Sequence, residues 1–169
     1  MGNVSFEQIK IEFMSGVEAI NVQNYLKAIT SFQRTLDLLK VSGSNDLELK
    51  SSCHYNMGEA YKNSNRLVEG INSFSSAIEI KNTNEDAYLG LSDCYFMLET
   101  NEGLNKVIEV LSKCILYFPN NEVAHLNKGV ALFKLSRYNE ANSSLQHAHG
   151  LGSQEAILYL GIVSKYINQ

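Results

Sequence analysis

One proline, Pro119, occurs in 169 residues, and with only 11 glycines most of the chain can run as helix without interruption. No five consecutive residues carry like charge, and the net charge of −4 is mild. General nucleic-acid binding, which needs a basic stripe to displace counterions from phosphates, is therefore not expected. No stretch reaches 18 apolar residues, so membrane insertion by a transmembrane helix is not expected either. Three cysteines, Cys53, Cys94 and Cys114, are odd in number and unevenly spaced. They make a poor disulfide framework, which favours a reducing compartment and a cytoplasmic location. The opening residues, Met1 to Phe6, have neither a basic region nor an apolar core, so they do not read as a signal peptide. Met1-Gly2 does not complete a myristoylation motif, because Phe6 stands where Ser or Thr is needed.

What is present is an ordinary balance for a folded domain, 44% apolar and 19% charged residues, carrying an internal repeat. A small residue is followed by an aromatic or aliphatic one, then by an Ala or Gly and a Phe or Leu. Residues 51–84 contain Met57-Gly58, Tyr61, Leu67, Gly70, Phe74 and Ala77. Residues 122–155 contain Gly129, Leu132, Tyr138, Ala141, Leu145 and Ala148. Residues 9–42 contain Gly16, Ala19, Tyr25, Ala28, Phe32 and Thr35. A third copy in chain order, 85–121, has Tyr88, Leu91-Ser92, Tyr95, Leu104, Val107, Leu111, Cys114 and Pro119, and the tail gives half a copy with Tyr159, Ile162-Val163 and Tyr166. Read this way, the small position recurs at 16, 58, 92, 129 and 163, at intervals of 42, 34, 37 and 34. The extra eight residues are expected in a surface loop at Val41–Asp46, and the extra three in a loop at Glu99–Gly103.

Four copies in register at this period resemble the tetratricopeptide repeat (TPR) family over nearly the whole chain. The resemblance implies an all-α fold, an α-solenoid of antiparallel helix pairs, as a single domain over 1–169. Its repeats would be 9–42, 51–84, 85–121 and 122–155, with a closing helix at 155–167. Small residues let paired helices approach while large ones fill the space beside them, and one pair cannot bury its own apolar face, so neighbours must stack. The expected helices are 5–21, 24–40, 47–63, 67–81, 84–98, 103–117, 121–134, 138–149 and 155–167. Ser5 with Gln8 reads as a capping box, Asn84 and Asn121 as N-caps, and Gly150-Leu151-Gly152 as a helix stop.

In such arrays the first helices of successive repeats line a concave surface. The resemblance implies a peptide-binding groove of Phe13, Val17, Tyr55, Asn56, Glu59, Leu89, Asp93, Phe96, Leu126, Asn127, Val130 and Phe133. Its aromatic and aliphatic members suit apolar side chains, and its two amides suit a peptide backbone. The expected partner is a protein or peptide. The carboxylate clamp that binds acidic chaperone tails is not expected, because its cationic positions hold Phe13, Val17, Asp86 and Gly90, and only Asn56 fits. A structural place in a larger assembly is the alternative. The last helix, Ala156 to Val163, is apolar on most faces, so continuation of the natural chain past Gln169, a partner there or self-association is a further expectation.

No phosphate loop, nucleophile elbow or zinc-protease motif occurs. His147 and His149 would point about 200° apart on a helix and cannot share a metal. No cofactor, metal or catalytic residue is assigned, and the chain is read as a non-enzyme.

Overall fold

The computed structural model describes residues 4–167; the readings made at Met1 to Asn3 lie outside the described residues. Those described residues hold nine α-helices and no strand: α1 Phe6–Asn21, α2 Tyr25–Ser42, α3 Leu47–Asn63, α4 Leu67–Ile80, α5 Glu85–Met97, α6 Asn101–Tyr117, α7 Glu122–Lys134, α8 Tyr138–Gly150 and α9 Gln154–Ile167. Two compact units divide the chain, one ending at Gly90 and the other beginning at Leu91. Each is a stretch of α-solenoid built from antiparallel helix pairs.

Helix starts are fixed by side-chain caps that satisfy otherwise orphaned backbone N–H groups. Ser5 and Gln8 form the reciprocal capping box on α1. Asn24, Asp46, Thr100 and Asn121 each accept a hydrogen bond from the backbone N–H three residues on, and Asn84 does the same for Ala87. Two helices without a side-chain cap bond, α4 and α8, share another device. Arg66 pairs with Glu69 at 2.7 Å and Arg137 with Glu140 at 2.6 Å, each glutamate lying in the first helical turn. A negative charge there meets the positive end of the helix dipole.

The turns between paired helices are also repeated. Gln23, Asn65 and Ser136 adopt positive φ of 57°, 60° and 60°. In each turn this residue's N–H bonds a carbonyl three residues back, and the next N–H reaches five back: Asn24 to Ala19, Arg66 to Tyr61 and Arg137 to Leu132. These are Schellman closures made without glycine.

Within a pair, a glycine on the first helix receives a large side chain from the second. A Cβ built on Gly16 would lie 2.7 Å from Phe32, one on Gly58 2.7 Å from Phe74, and one on Gly129 2.7 Å from Leu145. Phe32, Phe74 and Leu145 are fully buried. In unit 1 Phe32 joins a core with Ala19, Ala28, Cys53, Met57 and Ala60; in unit 2 Leu145 joins one with Leu126, Leu132, Ala141, Ala148, Ala156 and Val163. Ser51 ties the two helices of the second pair, α3 and α4, by donating its hydroxyl to the Ala77 carbonyl at 3.0 Å.

Two sequence expectations need correction. Links fall where loops were expected, at residues 43–46 and 98–100, but the additional length lies in the helices. α2 runs ten residues beyond Phe32 where α4 runs six beyond Phe74, α3 starts four residues before position 51, and α6 begins ten residues before Leu111 where α4 begins seven before Phe74. The eight residues are about one extra turn on each of α2 and α3 and the three about one turn on α6, which lengthens each helix without rotating its buried face. The last copy also has a different register. Ala156 and Val163 are fully buried, as are Ala124 and Ala131 on α7, spaced identically 32 residues earlier. Leu160-Gly161, not Ile162-Val163, therefore corresponds to Lys128-Gly129, and the interval is 32 because the link from α8 to α9 is short.

Candidate functional site

In unit 1 the expected groove residues Phe13, Val17, Tyr55, Asn56, Glu59 and Leu89 are all half-buried. Phe13 rests edge-on against Phe32, with ring centroids 5.5 Å apart at 63°, and Tyr55 tilts against Phe74 at 5.9 Å and 55°. The two rings hold the same place in successive repeats, each leaning on the knob that fills its own helix pair. One turn further along α3, Glu59 pairs with Lys62 at 2.7 Å, and both side chains are more than two-thirds covered. Lys62 Nζ stands 5.8 Å from the Phe74 ring centroid, a cation over an aromatic face. Asn56 donates from Nδ2 to the Ser52 carbonyl at 2.8 Å, so part of its amide is spent on its own helix.

In unit 2 Asp93, Phe96, Asn127, Val130 and Phe133 are half-buried. Leu126 is a core residue, 7% exposed and packed with Leu132 and Leu145. Asn127 makes no side-chain hydrogen bond among the described residues. Phe133 joins an aromatic cluster: it lies 5.9 Å from Tyr138 and 5.9 Å from Tyr166, and the two tyrosines stack at 4.8 Å. Sequence reasoning missed this cluster because the 34-residue register misplaced Tyr166 by two positions.

A second contact escaped the sequence. His125 and His147 stack at 5.3 Å with planes 11° apart, one ring N–H directed at the Pro119 carbonyl and the other at the Ser143 carbonyl. Among the described residues no three His, Cys, Asp or Glu side chains gather as metal ligands. The three cysteines are buried. Burial, reinforced by the Asp46 charge, pushes the Cys53 thiol up to about 12, so it is inert as a nucleophile at neutral pH. Burial also holds His54 below the usual imidazole range. No helix among the described residues is long and apolar enough to cross a membrane.

Residues 51–84 match the sequence profile of the tetratricopeptide repeat. No curated protein matches the sequence. Among solved structures, MamA is similar at 17% identity and TM-score 0.78, covering 99% of this chain and 85% of its own. YrrB, described as a TPR protein with an unusual peptide-binding site, is similar at 16% identity and TM-score 0.73, with 93% of this chain and 76% of that one covered. A tetratricopeptide repeat protein from Parabacteroides merdae reaches TM-score 0.79 at 17% identity, covering 95% of this chain and 60% of that one. At these identities the likeness is one of fold. Residues 51–84 are thus matched as a tetratricopeptide repeat, the same glycine notch and turn recur in α1–α2 and α7–α8, and the chain has the α-solenoid fold of tetratricopeptide repeat proteins.

Proposed function

We propose that the chain is a protein-interaction module, an adaptor or scaffold whose first helices hold a partly apolar peptide or helix of a partner. The observation that carries this is Asn127, a half-buried amide with no hydrogen bond among the described residues, set beside the half-buried Val130 and Phe133. An amide both donates and accepts, which suits a peptide backbone, and flanking apolar side chains suit its residues. Tyr55, Phe13 and Val17 offer similar partly covered apolar surface in unit 1. YrrB, described with an unusual peptide-binding site, supports the same general use of the fold.

The partner is not an acidic chaperone tail. Phe13, Val17, Asp86 and Gly90 stand where a carboxylate clamp needs cations, and Lys62 of the same helix as Tyr55 is already paired with Glu59. Catalysis has no candidate group: Cys53 is held protonated by burial, and the site's polar residues are amides and solvent-accessible carboxylates. A cytoplasmic setting fits three buried, unbridged cysteines.

Capture of the partner from cell lysate tests the reading. The Tyr55→Ala, Asn127→Ala double variant is expected to keep a cooperative melt and lose the partner. Undiminished capture removes these faces from the function.

A further inference from the structure

We draw no further inference here: the strongest candidate, the His125–His147 pair walling the cavity between the α6–α7 link and the last turn of α8, has its rings stacked 5.3 Å apart with planes 11° from parallel, so one ion does not lie in both ring planes, and no group of three His, Cys, Asp or Glu able to hold a metal occurs among the described residues.

Discussion

Gly58 lies directly under the ring of Phe74, so close that a single added methyl would approach Cδ1 to 2.7 Å and Cε1 to 2.8 Å. The ring has nowhere to retreat. It is fully buried, and Gly90 also presses on it, where a Cβ would come within 2.5 Å of Cε1 and Cζ. Glycine here serves close approach rather than backbone freedom, and the same contact at Gly16 and Gly129 holds the pairs α1–α2 and α7–α8.

Alanine is therefore expected to have opposite effects at equivalent positions. Gly58→Ala gains about 0.5–1 kcal/mol of helix preference but costs about 1–3 kcal/mol in overpacking, a net destabilisation of about 1 kcal/mol. Shortening the knob with Phe74→Leu should reduce that penalty, a coupling visible in a double-mutant cycle. Gly161→Ala meets no atom within 4 Å and should be neutral or stabilise by about 0.5–1 kcal/mol. Urea melts of the four variants decide it; equal effects at 58 and 161 would contradict the notch account.

Ala141 is fully buried beside Leu145 and Ala148. Ala141→Leu should destabilise by about 1–3 kcal/mol by forcing the helices apart. An unchanged melting temperature would mean that the site is not at a helix contact.

His54 gives stability a pH dependence of known sign. Burial lowers its folded pKa, so the unfolded chain binds its proton more readily. The contribution is fully present above the unfolded value of about 6.5 and is lost as pH falls through it toward the folded value. The urea midpoint should drop between about pH 7.5 and pH 5, and His54→Gln should flatten that drop. The exposed ion-paired carboxylates Glu69, Glu109 and Glu140, lowered by Arg66, by Lys106 with Lys113, and by Arg137, act only in more acid solution, below about pH 4.5. A midpoint that rises toward pH 5 in wild type but not in the variant would reverse the assignment.

Thiol chemistry checks the core. Cys53 is pushed up to about 12, and Cys94 and Cys114 are buried too. Ellman's reagent at neutral pH should leave all three unreacted in the folded protein and modify all three in denaturant. Rapid modification of any one in the native state would place it at the surface.

Much of this fold was legible because its signals are local or periodic. Ser5, Asn84 and Asn121 announce helix starts through short side chains that bond the next turn. The glycine and Phe or Leu of each pair recur at one fixed spacing. What escaped detection depends on three dimensions. Gln23 and Ser136 close helices at positive φ although neither residue favours it, because the packed pair over-determines the turn. Residues 43–46 after Val41 do form a link, but the extra length of that copy lies in α2 and α3 on either side of it. Gly161 was masked by an assumed constant period, and only the burial of Ala156 and Val163 reveals the shorter link. Among the expected groove residues, Leu126 carries the same helical signal as its neighbours, and packing alone distinguishes it.

The most direct test places a photo-crosslinking benzoylphenylalanine at Asn127 in one protein and at Leu116, an exposed position on the second helix α6, in another. A partner held by the first helices gives a discrete adduct from position 127 and none from 116. An adduct from 116 alone, or equal adducts from both, would show that the partner lies elsewhere on the molecule.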